Sequence, residues 1–222
     1  VLASLTDYWM ICPSGQLQFP DKYFARRFSP PLASLLLWLW RWLNPLLSRI
    51  PGSPFSALRR RPLFMAQAFE RFERVLVPST LMWSTFQEMG VSTDHFELCP
   101  YGISLEGLDA LPQRKAWAGP ERRPLRVGFI GSFNQAKGAH VLLEALVLAN
   151  GQHSLETVLY GNPADDPEYW QGLEQMAEAL PKVRWGGVFA SEQLFEVLAS
   201  LDVLVVPSLW RENAPLIVSQ AM

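Results

Sequence analysis

From Leu125 onward, short apolar runs alternate with stretches of helical period, and this alternation constrains the fold more than any other feature of the chain. Leu125–Ile130, Leu155–Tyr160, Val183–Trp185 and Val203–Val206 read as strands. Gly138–Ala149, Pro167–Leu180 and Ser191–Ser200 read as helices, and Pro215–Met222 as the opening of a fourth. Strand and helix in turn imply parallel strands joined by crossover helices, hence a doubly wound α/β domain. Ligands of such a domain sit at the carboxyl ends of its strands. The all-apolar run Val203–Val206 has the pattern of a strand in the middle of a parallel sheet.

The front part repeats the theme more loosely. Val1–Ile11 reads as a strand running into a loop, and Val75–Val77 as a second strand. Ser79 is placed to cap the helix that follows, with Gly90 as its stop. Phe96–Cys99 is a third strand. The polar, proline-bearing stretch from 105 to 124 is the best boundary in the chain. The expected organisation is a first α/β domain over 1–104, a linker over 105–124, and a second α/β domain over 125–222. The chain opens on Val1 and ends inside a helical pattern without a cap. It therefore reads as a fragment, with both domains incomplete and no activity expected of it alone.

Composition narrows the function classes. Apolar residues make up 49% of the 222 residues and charged residues 18%, so a packed core is within reach. The net charge of -2 excludes a simple basic nucleic-acid binder, and no nucleic-acid partner is expected. Two cysteines cannot build a disulfide framework, and three scattered histidines make a metal centre implausible. No apolar run reaches the ~18 residues of a spanning helix, and no cleavable signal opens the chain.

The charge is nevertheless uneven: residues 1–62 hold eight basic side chains against two acidic ones. Within them, residues 32–50 read L-A-S-L-L-L-W-L-W-R-W-L-N-P-L-L-S-R-I. As a helix, Ser34, Arg41, Asn44 and Ser48 fall within about 80° of one another, and all else is apolar, with a break expected at Pro45. Three readings stand: a helix buried between others, a helix lying on an anionic membrane surface with its tryptophans at the interface, or a spanning helix, which the short run and Arg41 disfavour.

The carboxyl ends of the second domain's strands carry the chemistry. Gly131–Gly138, G-S-F-N-Q-A-K-G, ends the first strand and opens a helix. Glycine admits close backbone approach, a helix start offers free N–H groups, and Lys137 adds a full charge. The combination suits a diphosphate. The spacing matches neither G-x-G-x-x-G nor the P-loop. The second strand ends at Tyr160-Gly161-Asn162 and the third at Gly186-Gly187. The fourth leads into V-V-P-S-L-W-R-E-N-A-P-L-I-V-S-Q-A-M, which sets Glu212 before a helix start near Ala214-Pro215. A carboxylate there repels phosphate and suits sugar hydroxyls. Over a helix, the eight residues from Glu212 to Gln220 span about 12 Å.

Taken in order, these loops resemble glycosyltransferase family 4, the glycosyl transferases group 1, retaining enzymes of the GT-B fold. In the front part L-T-D-Y-W-M-I-C-P-S-G-Q-L, V-L-V-P-S-T and L-C-P-Y-G-I agree, and only the stretch 24–62 falls outside the likeness. The resemblance implies two Rossmann-like domains and a nucleoside-diphosphate sugar as donor, with Gly131, Ser132, Gly161 and Gly187 along its binding loops. It implies that Lys137 neutralises the donor diphosphate and that Glu212 holds donor-sugar hydroxyls. Asn213, Ala214 and Pro215 form the helix start facing the phosphates, and Asp7 belongs to the active site. Three positions depart from the family pattern. Ser132 replaces an Arg beside the diphosphate, Gln220 replaces the second Glu of E-x(7)-E at the ribose, and Thr6 replaces the His before Asp7.

The implied reaction moves a sugar, of the hexosyl type, to an acceptor hydroxyl with retention of configuration, in polysaccharide, glycan or glycolipid assembly. No D-x-D occurs, so no metal or other cofactor is expected, and Lys137 with the helix starts supplies the positive potential. The acceptor is a sugar or a lipid-linked sugar. The expected place is the cytoplasm, peripheral on the inner face of the cytoplasmic membrane. Two other readings stay open from sequence: a nucleotide-sugar-binding protein that has lost turnover, and a sugar-nucleotide epimerase of the same architecture.

Overall fold

The protein is described from a computed structural model. It covers residues 2–8, 35, 38–39, 42–43, 45–46, 49, 64–65, 67–105, 108, 116–149 and 154–222. The chain forms two compact units, Val1–Tyr101 with Trp210–Ala214, and Gly102–Leu209 with Pro215–Met222.

The first unit holds a parallel three-stranded sheet in sequence order: β1 (Leu2–Ser4), β2 (Arg74–Val77) and β3 (Phe96–Leu98). Helix α1 (Thr80–Glu88) follows β2. Ser79 caps it as its sequence predicts: the backbone is extended and the side-chain oxygen accepts from Met82 N–H at 3.2 Å. Gly90 takes over at φ 78° where the helix stops. Val75 and Val77 point to one face of β2 and are fully buried, in a cluster with Leu5, Phe69, Met82, Phe86 and Phe96. Phe69 and Phe86 meet edge to face at 5.5 Å.

The second unit is built on a parallel sheet of order β6-β5-β4-β7: β4 (Leu125–Ile130), β5 (Leu155–Tyr160), β6 (Val183–Gly187) and β7 (Val203–Leu204). Its helices are α2 (Ala139–Ala149), α3 (Pro167–Ala177), α4 (Leu194–Ser200) and α5 (Leu216–Ala221). Val127 and Phe129 of β4 and Leu159 of β5 pack with Leu142, Leu143 and Leu146 of α2 and Leu173 of α3. Gly128 alternates to the other face, where a Cβ would run into the Leu201 side chain just after α4. Helical chain thus covers both faces of the sheet, which is the doubly wound parallel α/β architecture expected.

Three sequence expectations need correction. Among the described residues Val203–Val206 is not flanked on both sides: only Val203–Leu204 pair, with β4, and Val203 and Val206 are exposed. An apolar run marks burial, and the neighbour count along a sheet leaves no trace in it. The helix foreseen over Ser191–Ser200 opens as a 3-10 turn, Ser191–Gln193, before α4. Pro215 caps α5 from outside rather than starting it inside.

The rest of the basic front part is described only at points. Leu35, Trp38, Leu39, Trp42, Leu43, Pro45 and Leu46 are helical, so the break foreseen at Pro45 does not occur there. Trp38, Trp42 and Leu46 are exposed, against the buried-helix reading. Ser34, Arg41, Asn44 and Ser48 lie outside the described residues, as do Cys12, Trp40 and much of the 105–124 stretch. Among the described residues no helix is long and apolar enough to cross a membrane.

Asp202 ties the amino end of β7 to the strand beside it. Its carboxylate takes a two-pronged ion pair from Arg123, with Nη2 to Oδ1 at 2.8 Å, and accepts from Arg126 N–H at 2.9 Å. The Asp202 side chain is 4% exposed. The Arg123 guanidinium first, then Arg126, hold its carboxyl well below the usual carboxylate range against the opposing effect of burial. Asp202→Ala removes the charge-assisted bonds of two half-exposed arginines and leaves one strand N–H without its acceptor, and should destabilise the unit by about 1–3 kcal/mol in denaturant unfolding. A depressed carboxyl stabilises above its unfolded pKa of about 4 and loses that contribution as pH falls below it. The variant should therefore show a flatter acid limb of stability against pH.

Candidate functional site

The loop after β4 is fixed by one aromatic side chain. Phe133 is fully buried and stacks on Trp170 at 5.1 Å and on Phe129 at 6.1 Å, with Trp185 edge-on at 5.9 Å. That anchor leaves Ser132 exposed and Lys137 half-buried on the same loop. Asn134 caps the turn Gln135–Lys137: its side-chain oxygen and its carbonyl both accept from Lys137 N–H, at 3.2 and 3.1 Å. Gly138 then turns the chain at φ 74°, and a Cβ there would strike the Pro207 carbonyl. Leu209 N–H donates to Ala136 C=O at 2.8 Å, so the loop after β7 lies against the Lys137 turn.

The neighbouring strand ends meet this loop through backbone. Gly131 N–H donates to Tyr160 C=O at 3.1 Å, and Gly161 N–H to Gly187 C=O at 2.9 Å. A Cβ on Gly161 would collide with the Gly131 carbonyl, so the close approach of these two ends requires glycine. Gly131, Gly161 and Gly187 thus follow one another along the carboxyl ends of β4, β5 and β6. Tyr160 and Phe189 meet edge to face at 5.4 Å beside them.

The structure corrects one part of the sequence argument. The helix start after Lys137 does not offer a set of free N–H groups. His140 N–H donates to the Tyr169 hydroxyl at 3.1 Å and Val141 N–H to Gly138 C=O at 2.9 Å, while Lys137 N–H is held by Asn134. The Tyr169 hydroxyl also lies 2.7 Å from His140 Nδ1, so a side chain of α3 closes the first turn of α2. A tyrosine thirty residues downstream has no signature in the loop's own sequence.

Glu212 sits apart from that loop in the division of the chain. The segment Trp210–Ala214 belongs to the first unit. Arg211 Nη1 donates to Thr85 Oγ1 at 3.0 Å and lies 3.7 Å from Glu88, and the Asn213 amide donates to the Thr6 carbonyl. Asn213 Oδ1 in turn accepts from Ala214 N–H at 2.7 Å. Glu212 is half-buried between these two anchors, and Asp7 is exposed on the loop after β1. Burial pushes the Tyr8 hydroxyl up from its ordinary value, and Arg211 and Glu212 act on it with opposite signs. Arg211 was not singled out from sequence, although its place beside Glu212 was a usable signal. Pro215 and Gln220 belong to the second unit. Only Leu216–Ala221 is helical, so the spacing of Glu212 and Gln220 is not a helical one. Gln220 lines a cavity of about 480 Å³ with Phe195, Leu198, Leu201 and Leu204. Among the described residues no three His, Cys, Asp or Glu side chains gather as a metal site.

Residues 124–222 match the family described as glycosyl transferases group 1. No curated protein matches the chain. Among solved structures, HepE of Anabaena in complex with UDP superposes with a TM-score of 0.59 at 16% identity, covering 99% of this chain and 50% of that one. Sucrose-phosphate synthase from Thermosynechococcus elongatus gives 0.58 at 20% identity, covering 90% and 55%. The lipopolysaccharide outer core galactosyltransferase WaaB gives 0.51 at 13%, covering 71% and 42%. The chain therefore spans about half the length of the solved structures it matches, and its fold is that of GT-B glycosyltransferases.

Within the matched stretch the shape of the Lys137 loop depends on Phe133 from within and on Tyr169 from the side. Burial raises the Tyr169 hydroxyl above its ordinary pKa. Tyr169→Phe leaves the His140 N–H without its acceptor and should cost about 1–3 kcal/mol in thermal or denaturant unfolding. A phenol favoured neutral in the fold stabilises below its unfolded pKa of about 10 and loses that contribution as pH rises. The alkaline fall in stability should therefore be shallower in the variant.

Proposed function

We propose that the full-length protein is a retaining glycosyltransferase that moves a hexosyl group from a nucleoside-diphosphate sugar to an acceptor hydroxyl. The observation that carries this reading is the run of Gly131, Gly161 and Gly187 along three adjacent strand ends, with Lys137 on the loop that Phe133 anchors. Backbone without side chains there lets a flat, charged donor lie close, and Lys137 faces the charge that develops on the leaving diphosphate. The match of residues 124–222 to the glycosyl transferases group 1 supports the same chemistry.

In this reading the bond from the sugar's anomeric carbon to the diphosphate oxygen breaks, and a bond to the acceptor oxygen forms on the same face. The acceptor proton passes to the leaving phosphate. Lys137 stabilises that phosphate as a cation, without a metal ion. Ser132 is the small neighbour of the diphosphate, and Asn213, Ala214 and Pro215 carry the chain past it into α5. Glu212 accepts from donor-sugar hydroxyls, held in place by Arg211 and Asn213 on either side. Gln220 offers the ribose one acceptor oxygen where a carboxylate would offer two. Asp7 lies with the acceptor-side residues of the first unit. The acceptor is a sugar or a lipid-linked sugar in glycan or glycolipid assembly, used at the cytoplasmic face of a membrane.

Calorimetry on the full-length protein tests the assignment. Lys137→Ala removes a charge-assisted contact worth about 1.5–3 kcal/mol and should weaken nucleoside diphosphate binding about 10- to 150-fold. Glu212→Gln should leave the affinity for the diphosphate unchanged and lower turnover of the sugar nucleotide. Unchanged diphosphate affinity in Lys137→Ala rejects the phosphate-loop assignment. Ser132, Thr6 and Gln220 favour a second reading, donor binding without turnover. Tight donor binding by a wild-type protein that neither transfers nor hydrolyses the sugar would select it.

A further inference from the structure

Leu35, Trp38, Trp42 and Leu46, all helical, leave apolar side chains in solvent. At about 100° per residue, Leu35, Trp38, Trp42 and Leu46 fall within about 80° of one another, a single face about 16 Å long. Leu35 is 50% exposed, Trp38 56%, Trp42 70% and Leu46 61%. The two indole rings sit one turn apart with centroids 6.1 Å from each other. Arg49, also exposed, follows on the next turn, its N–H bonded to Leu46 C=O. A folded surface does not keep a contiguous aromatic and leucine face in water without a use for it.

We propose that this stripe docks the protein on an anionic phospholipid surface. Charge selects that occupant over an apolar protein groove. The segment carrying the stripe belongs to a front part with eight basic and two acidic side chains, in a chain that is otherwise acidic. An apolar face set in basic sequence matches acyl chains beneath anionic headgroups. Indole, apolar with one N–H donor, is the side chain that settles at that boundary. The face is about 16 Å long against the roughly 30 Å that a spanning helix needs, so the stripe is read as lying on the bilayer rather than through it. The inference rests on the membrane-face location proposed for the protein and not on sugar transfer. Its failure therefore leaves the donor assignment standing, and a failed donor assignment leaves it standing in turn.

Co-sedimentation of the purified protein with phosphatidylcholine vesicles, with and without phosphatidylglycerol, tests it. Wild type should bind the phosphatidylglycerol vesicles at low salt, at least about 10-fold more tightly than neutral ones, since each basic residue near such a surface contributes about 5-fold. Binding should weaken when salt shortens the screening length. W38S/W42S, on exposed positions, should lose about 10- to 100-fold in vesicle affinity with an unchanged circular dichroism spectrum. L46S, one turn on, should lose a smaller part and serves if the double variant misfolds. Absence of wild-type binding at low salt overturns the proposal, as does equal binding by a folded W38S/W42S. A wild-type dimer that W38S/W42S dissociates, without vesicle binding, overturns it in favour of a second copy as the occupant.

Discussion

Every strand pairing described in both sheets is parallel, and the arrangement of the molecule follows from that constraint. A parallel neighbour is reached only by a crossover that carries the chain back to the starting edge. All carboxyl ends of one sheet therefore open on the same side, whatever the loops contain. Gly131, Gly161 and Gly187 come together through this rule, although up to about fifty residues separate them along the chain. The opposite edge is left for purely structural devices, and Asp202 with Arg123 and Arg126 is one. The same sheet thus carries a half-buried ion pair at one edge and bare backbone at the other.

Much of this was legible in the residues. Leu125–Ile130 and Leu155–Tyr160 are legible because each is a short, mainly apolar segment closed by glycine, and Ser79 because a cap acts over three residues. What failed to show was whatever depends on distant partners. The edge position of β7 depends on which strands flank it, not on the apolar content of Val203–Val206. The filling of the α2 start by Tyr169 depends on packing between two helices. Phe133 was visible as an apolar residue in a polar loop, yet its role is fixed by Trp170 and Trp185, which come from other elements. Local chemistry is read within a few residues, and the geometry of a site is not.

The loop carrying Glu212 shows how a short segment is held where its own length supplies no secondary structure. Between Leu209 and Leu216 there is neither strand nor helix. Position is supplied instead by side chains on both sides of the carboxylate. Arg211 reaches the buried Thr85, whose hydroxyl is itself committed to Leu81 C=O at 2.7 Å, and Asn213 binds a backbone carbonyl. A hydrogen bond from a charged group such as Arg211 contributes about 1.5–3 kcal/mol, and a neutral one such as that of Asn213 about 0.5–1.5 kcal/mol. Two of them, flanking one residue, limit the directions that residue can take more than either does alone.

Tryptophan serves two opposite ends in this chain. Trp170 and Trp185 lie 4.5 Å apart, packed with Phe133, and their area stabilises a loop from inside. Trp38 and Trp42 pair on a surface and leave their area in water. The ring is the same, so the difference lies in the sequence around it. The half-buried pair comes from a helix and a strand whose other apolar residues pack against one core, among acidic neighbours such as Glu168 and Glu174 on the exposed side. The exposed pair sits among leucines with basic residues before and after, and no acidic side chain occurs from residue 22 to residue 69. A helix meant for solvent mixes both signs of charge, and one meant for a core needs no charge excess at all. A long, one-signed interval around an apolar face is the pattern that an oppositely charged, apolar-backed surface selects.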